Sequence, residues 1–150
     1  MKLGWARVLG KRSERRVRVL LVEDDRLSRI LIEETLSDFA QIELTTASTV
    51  ADATLVLSSS LEFDIVLLDW RLDGRNAQTV LDIAELRGPD RRPQVVLVTG
   101  SILPEEIKGL VPTQIDRILT KPIEIDELIQ IVLDSANRCG GATRGATLSA

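Results

Sequence analysis

The sequence contains no histidine and no tyrosine, and its single cysteine is Cys139. A Ser-His-Asp triad, a Cys-His pair and a histidine-ligated metal site are therefore excluded, as is a disulfide within the chain. Aromatic residues make up only 3% of the chain, which argues against the stacking surfaces that bind single-stranded nucleic acid. Any metal bound by this chain must be held by oxygen atoms.

Long apolar runs are also missing, since no segment approaches the roughly 18 to 20 apolar residues of a membrane-spanning helix. The 150 residues suit one globular domain. A hydrophobic content of 44% with 28% charged residues excludes disorder throughout the chain. A lone cysteine without a secretory-type apolar segment is typical of a reducing compartment, so we predict a cytoplasmic protein.

The two ends of the chain differ in composition from its middle. Six basic residues and one acidic residue give residues 1–16 a charge of +5, which leaves −9 for the rest of a chain whose total is −4. Residues 137–150 are small and glycine-rich, and they cannot bury enough apolar surface to offset the entropy lost on ordering. We therefore predict a flexible basic extension at 1–16, one domain at 17–136 and a flexible tail at 137–150. The extension also suits anionic lipid or nucleic acid, but without a basic recognition helix no specific DNA binding is expected.

Short, β-branched apolar runs recur along the middle of the chain. Residues 18–22, 65–68 and 95–98 are nearly continuous apolar runs, typical of strands buried on both faces of a parallel sheet. Weaker strand patterns cover 42–46 and 114–119. Between the strands, apolar residues recur near a 3.6-residue spacing, which predicts helices. Five strands alternating with five helices predict an α/β, doubly wound parallel sheet.

Residues that begin or end helices stand at suitable places between the strands. They are Asp25 and either Ser48 or Thr49 before the first two helices, Gly88-Pro89 after the third, and Pro104 before a short fourth.

Charged and hydroxyl side chains follow four of the predicted strands. They are Glu23, Asp24 and Asp25 after the first strand, Asp69 after the third, Thr99 after the fourth and Lys121 after the fifth. Ligands bind beyond the carboxyl ends of the strands in such sheets, and acids from neighbouring strands converge there. Like charges at this spacing repel by several kcal/mol unless a cation neutralises them. Oxygen ligands without histidine or cysteine favour Mg²⁺.

Four motifs in order, VRVLLVEDD, DIVLLDW, VVLVTGS and LTKP, resemble the receiver domain of bacterial two-component response regulators over about residues 17–136. The resemblance implies a flavodoxin-like, five-stranded parallel sheet in the order 2-1-3-4-5. It also implies that Asp69 accepts a phosphoryl group from a partner phosphohistidine, with Lys121 and Thr99 beside it. Asp69 then acts as a carboxylate nucleophile and forms an acyl phosphate.

The resemblance also implies a set of metal ligands. Mg²⁺ would be held by Asp24, Asp69 and the backbone carbonyl of Arg71, and Glu23 would act through water. Asp25, the next acid along the chain, is expected to cap the first helix instead.

The switch and the lifetime of the acyl phosphate follow from the same resemblance. Thr99 is expected to move toward the phosphoryl group, and Ile118 stands where an aromatic switch residue is usual. We therefore expect phosphorylation to alter the face of the fourth helix, fifth strand and fifth helix less sharply than usual. Arg71 and Ser101 lie at positions that tune hydrolysis, and a long Arg71 is expected to shield the site so that the phosphoryl group lasts minutes or longer. Lys121-Pro122 matches a bond that is cis in the family.

The resemblance implies a stand-alone receiver, phosphorylated by a sensor histidine kinase or a histidine phosphotransfer protein. Such a protein signals by binding a partner or by passing the phosphoryl group on. Apart from phosphorylating itself and slowly losing the group, it would not be an enzyme. Receivers often dimerise through the fourth helix, fifth strand and fifth helix, so a homodimer is one expected state.

Two other functions remain open. One is a vestigial receiver that serves only as an interaction or dimerisation module. The other is a Mg²⁺-dependent phosphatase with an aspartyl nucleophile, although such enzymes place a second acid where this chain has Arg71. Trp70, next to the acceptor, is expected to pack on the rim of the site.

Overall fold

The structure, a computed structural model, describes residues 15–72, 74–100, 105–109 and 113–140. The basic extension therefore lies almost wholly outside the described residues, and so do Ser101, Pro104 and most of the predicted tail. The elements in chain order are β1 (Val17–Val22), α1 (Arg26–Ser37), β2 (Ile42–Ala47), α2 (Val50–Ser58), β3 (Ile65–Asp69), β4 (Arg71–Leu72), β5 (Arg75–Asn76), α3 (Gln78–Glu85), β6 (Gln94–Thr99), α4 (Glu105–Lys108), β7 (Arg117–Thr120) and α5 (Ile125–Gly140).

The main sheet has five strands in the order β2-β1-β3-β6-β7, and every neighbouring pair is parallel. This confirms the predicted order 2-1-3-4-5, because the short β4–β5 hairpin pairs only with itself. Every residue of β3 is buried, as expected for a central parallel strand covered on both faces. All the main strands end at the same edge, which we call the carboxyl edge.

Helices cover both faces of the sheet and enclose two apolar cores. One core lies under α1 and α5 and includes Val19, Leu36 and Val132. The other lies under α2, α3 and α4 and includes Leu68 and Ile107. Alternate residues of a strand contribute side chains to opposite cores, because successive side chains point to opposite faces of the sheet.

Two of the predicted helix starts are confirmed in detail. Asp25 Oδ2 accepts a hydrogen bond from Ser28 N at 2.9 Å and caps α1. Thr49, rather than Ser48, caps α2 through a bond from Asp52 N at 3.0 Å. A side-chain acceptor at this position satisfies an N–H that has no partner within the helix.

The fourth helix is short, as predicted, and consists of the single turn α4. Two other elements differ from the prediction. The last strand begins at Arg117 rather than Gln114, because Gln114 and Asp116 bond instead to the side chain of Arg92. Helix α5 continues to Gly140, into the predicted tail, since extending a formed helix costs little.

Trp70 was expected at the rim, and that expectation is wrong. Its side chain is 1% exposed and belongs to the core under α2, α3 and α4. Leu72 and Ala77, from the β4–β5 hairpin and the residue after it, belong to the same core. The hairpin therefore extends this core past the end of β3.

Among the described residues, no helix has both the length and the apolarity needed to cross a membrane.

Candidate metal centre at the carboxyl edge

The end of β1 directs two acids to the site and one away from it. Glu23 continues the pairing of β1 with β2, since its N–H donates to Ala47 O at 3.0 Å, and its side chain is 3% exposed. Asp24 follows and is exposed. The side chain of Asp25 instead caps α1, as predicted.

The end of β3 brings Asp69 beside these acids, because β1 and β3 are neighbours in the sheet. Asp69 is buried, and its Oδ1 accepts a hydrogen bond from Arg71 N at 3.3 Å. Carboxylate oxygens of Glu23, Asp24 and Asp69 all lie within 4.8 Å of one another. The structure therefore brings together the acids that the sequence predicted.

Lys121, directly after β7, reaches across to two of these acids. Its Nζ lies 3.2 Å from Glu23 Oε1 and 3.3 Å from Asp69 Oδ2. Its backbone N–H donates to Thr99 O at 2.7 Å, which fixes the lysine against the end of β6. The Lys121-Pro122 bond is cis, as predicted.

The electrostatics of the cluster show a shortage of positive charge. The pKa of Glu23 is raised from 4.5 to about 8, mainly by burial and also by the nearby Asp69, and Lys121 only partly opposes these effects. Burial lowers the pKa of Lys121, but the charges of Asp69 and Glu23 outweigh that effect and raise it above its usual value. The ammonium of Lys121 thus contacts two of the three carboxyl groups in the cluster.

The donor set fits a divalent cation. Carboxylate oxygens are the ligands of hard ions, and oxygens within 4.8 Å of one another can share one ion. Because Asp24 is exposed, the site is open to water on one side. An open site with few protein ligands suits an ion that keeps part of its hydration shell.

The predicted switch residues lie on one face of the sheet. Thr99, at the end of β6, is 6% exposed. Ile118, on β7, pairs in register with Leu97 of β6. Leu97 and Thr99 share a face because they are two residues apart, and Ile118 is half-buried against the same core as Leu97. Arg71, one of the two predicted lifetime residues, is exposed beside the site.

Arg29 contacts the site, although the sequence did not predict this contact. Its Nη1 donates to the backbone carbonyl of Glu23 at 3.0 Å. A basic residue one turn into the helix after an acidic loop is the only signal in the sequence, and it equally suits a surface ion pair. Arg29 also lies 3.8 Å from Glu33.

Comparison with known proteins places this fold and site in a family. The family model described as the response regulator receiver domain matches residues 19–133. Sensor protein GacS of Pseudomonas syringae pv. syringae is 29% identical over 124 residues, which are 81% of this chain. The chain spans only 14% of that sensor protein's length.

Solved structures give the same result. The signal receiver domain of a putative LuxO repressor protein from Vibrio parahaemolyticus is 26% identical, with a TM-score of 0.69 over 85% of this chain and 99% of that one. A response regulator receiver protein from Sinorhizobium medicae WSM419 is 29% identical, with a TM-score of 0.69 over 83% and 98% of the two chains.

A third structure, 20% identical, shares the fold with a TM-score of 0.69 over 81% of this chain and 98% of that one. It is the receiver domain of sensor histidine kinase PA1611 from Pseudomonas aeruginosa PAO1, with a magnesium ion coordinated in its active site cleft.

The chain belongs to the response regulator receiver domain family. It is a receiver domain of two-component signalling, similar to part of a sensor protein. Domains of this family are generally signalling modules rather than enzymes.

Proposed function

We propose that this receiver domain accepts a phosphoryl group on Asp69 from a phosphohistidine of a partner protein. The observation that carries the proposal is the position of Asp69 between a lysine and two further acids. Asp69 Oδ2 contacts Lys121, and Oδ1 accepts from Arg71 N. Glu23 is the weaker nucleophile of the buried pair, because a pKa raised to about 8 keeps it largely protonated at neutral pH.

In the proposed step an oxygen of Asp69 attacks phosphorus while the bond to the histidine nitrogen breaks. The electron pair of that bond stays on the imidazole, and Asp69 becomes an acyl phosphate. Lys121 remains beside the new group and neutralises part of its charge, which is the main task of a protein in phosphoryl transfer.

Asp24, Asp69 and the backbone carbonyl of Arg71 would hold Mg²⁺, and Glu23 would act through water. The ion would neutralise charge on the transferring oxygens. The acidic cluster supports this assignment, and so does the magnesium ion in the homologous PA1611 receiver domain.

Phosphorylation would add about −1.5 to −2 charge to a site already short of positive charge. Thr99, which ends β6, offers a hydroxyl that can donate to the phosphoryl oxygens. Its movement would change the packing around Ile118, since both residues lie on the same face of adjacent strands. We assign the two residues to the switch on this basis.

The expected partner is a sensor histidine kinase or a histidine phosphotransfer protein. These 150 residues include no histidine, so the phosphohistidine donor, and any histidine that receives the group onward, lies outside them. The similarity to part of a sensor protein supports a place in such a relay. The folded receiver is assigned to residues 17–136, supported by the start of β1 at Val17 and by the matched range 19–133.

The test is to incubate the protein with Mg²⁺ and acetyl phosphate and to look for a base-labile gain in mass. Asp69→Asn should abolish the gain. Asp90→Asn is the matched control, because Asp90 is exposed in the loop before β6, at the opposite edge of the sheet.

Other results would favour the remaining functions. If the parent protein gains no mass from acetyl phosphate or from an authentic kinase, the interaction-module function is favoured. Rapid multiple turnover of phosphate esters would favour the phosphatase.

A further inference from the structure

Glu23 is held by contacts from three different elements. Its N–H donates to Ala47 O at the end of β2, at 3.0 Å. Its side chain contacts Lys121 Nζ at 3.2 Å, after β7. Its carbonyl accepts from Arg29 Nη1 at 3.0 Å, and Arg29 belongs to α1. The peptide between Glu23 and Asp24 is therefore fixed by Arg29 on its carbonyl side.

This peptide bears on where Asp24 points. Asp24 is exposed, so its position depends on the backbone of the loop as well as on its side-chain contacts. The plane of the preceding peptide affects the direction in which its Cα–Cβ bond leaves the loop. A change in that plane would carry the carboxylate away from Glu23 and Asp69, which now lie within 4.8 Å of it.

We infer that Arg29 is a positioning residue for the metal centre, acting through the Glu23 carbonyl to hold Asp24 in place. The inference rests on the proposed function of the site. It adds a residue that touches neither the phosphoryl group nor the ion.

The surroundings of Arg29 indicate that the fold survives its loss. Arg29 lines an open cavity of about 410 Å³ together with Thr46 and Ser48. Water that enters this open cavity can bond to the Glu23 carbonyl once the guanidinium is removed. Such a water would satisfy the carbonyl but would fix the peptide less firmly than a side chain anchored on α1.

The test compares Arg29→Gln with two controls by titrating metal-free protein with Mg²⁺ in a calorimeter. Arg91→Gln removes the same charge at the opposite edge of the sheet, where Arg91 pairs with Glu62. Glu33→Gln removes the ion-pair partner of Arg29 but keeps the guanidinium and its contact with the carbonyl.

We expect Arg29→Gln to weaken Mg²⁺ binding by about tenfold, the usual lower limit for residues that orient metal ligands. Both controls should bind as the parent does. In phosphorylation by acetyl phosphate, the half-saturating Mg²⁺ concentration should rise by a similar factor, while the rate at saturating Mg²⁺ changes much less. A purely structural role would not separate these two quantities.

Arg29→Lys provides a second, graded variant. The lysine ammonium can donate to the same carbonyl, but from a shorter side chain than arginine. The Mg²⁺ affinity of this variant should therefore lie between those of the Gln variant and the parent. An affinity below that of the Gln variant would contradict the inference.

Three other results would overturn the inference. Arg29→Gln could bind Mg²⁺ as tightly as Arg91→Gln, Glu33→Gln could show the same loss, or Arg29→Gln could fail to fold. If the parent itself neither binds Mg²⁺ nor becomes phosphorylated, the proposed function fails instead. A parent that does both, beside an unaffected Arg29→Gln, removes only the role of Arg29.

Discussion

The two edges of the sheet both carry buried acids, but they pair them differently. At the amino edge, where the main strands begin, Asp64 is 4% exposed and has a donor for each oxygen, Arg15 Nη2 at 2.9 Å and Arg18 N at 2.8 Å. At the carboxyl edge, Glu23 and Asp69 share the single ammonium of Lys121.

Two further arginines near the amino edge also have hydrogen-bond partners. Arg92 bonds to Glu85 at 2.8 Å and to Asp116 at 3.1 Å, and Arg87 donates to the carbonyls of Leu57 and Leu61. These contacts join the loop before β6 to neighbouring elements.

The difference shows how to separate structural from functional acids in this fold. A carboxylate with its own donors is complete without a ligand, whereas carboxylates that share a donor gain from an added cation. We therefore expect substitutions at the amino edge to change stability and those at the carboxyl edge to change phosphorylation and metal binding.

The largest expected effect is at Lys121. Lys121→Ala should slow phosphorylation by acetyl phosphate about 100-fold, because a preorganised positive group near developing charge contributes on this scale. The rate is measured by the gain in mass over time. Arg117→Ala is the control, since Arg117 is an exposed cation on β7, the strand that precedes Lys121, and an equal loss in both variants would contradict the role of Lys121.

At the amino edge, Asp64→Ala should lower the free energy of unfolding by about 2 kcal/mol, because it removes a buried carboxylate that accepts hydrogen bonds from Arg15 and from the N–H of Arg18. Urea unfolding measures the change, with Asp90→Ala as an exposed control. Phosphorylation should proceed at the parent rate. A large loss of phosphorylation in a folded Asp64→Ala would break the proposed division between the edges.

The pH dependence of Mg²⁺ binding tests the carboxyl edge next. Below pH about 8 Glu23 is protonated in the metal-free protein, and a cation favours its ionised form. Mg²⁺ affinity should therefore rise by up to about tenfold per pH unit as the pH approaches 8 from below, and then level off. Calorimetry in buffers with different ionisation enthalpies should also show proton release.

The same pKa shift predicts how the stability of the metal-free protein changes with pH. Because the pKa of Glu23 is raised from 4.5 to about 8 by folding, its contribution to stability is fully present below 4.5 and declines as the pH rises to about 8. Glu23→Gln should flatten this decline. A parent whose stability and Mg²⁺ affinity are both independent of pH in this interval would contradict the shift.

A smaller effect is expected at Arg71, the exposed residue beside Asp69. Arg71→Ala should release phosphate about threefold faster than the parent, because the long side chain no longer shields the acyl phosphate from water. Release is followed with phosphorylated, donor-free protein, and Arg75→Ala, on the partner strand of the same hairpin, is the control. Equal rates for Arg71→Ala and the parent would refute the shielding.

The smallest effect is expected at the face formed by α4, β7 and α5. Ile118 is already half-buried against the core, and an aliphatic side chain has no aromatic ring to rotate inward. Phosphorylation should therefore cause only modest amide chemical-shift changes across residues 102–130. A large, cooperative change in that range would refute this hypothesis.

Most of the fold could be predicted because apolar runs and capping residues act locally. Asp25 and Thr49 cap their helices through residues three positions away, and the continuous apolar run of β3 indicates burial on both faces. The start of β7 could not be predicted in this way. Gln114 and Asp116 are engaged by Arg92, more than twenty residues earlier in the chain.

The site shows the same division. Glu23, Asp24, Asp69 and Lys121 could be predicted to meet, because the ends of parallel strands lie at one edge. The burial of Trp70 could not, since it depends on how the β4–β5 hairpin joins the core. The contact of Arg29 with the Glu23 carbonyl could not be predicted either. Every residue type has a backbone carbonyl, so the sequence does not indicate which one accepts a hydrogen bond.

The sequence by itself determined the order of strands and helices and the identity of the groups at the carboxyl edge, because these follow from apolar periodicity and from residues adjacent to each strand. Only the tertiary structure decided how the charges are shared. Asp64 obtains two donors of its own, while Glu23 and Asp69 share the ammonium of Lys121. The pKa of Glu23 is then raised to about 8, mainly by burial. Partners and burial depend on distances between residues far apart in the chain, and those distances are fixed only when the sheet and its helices pack together.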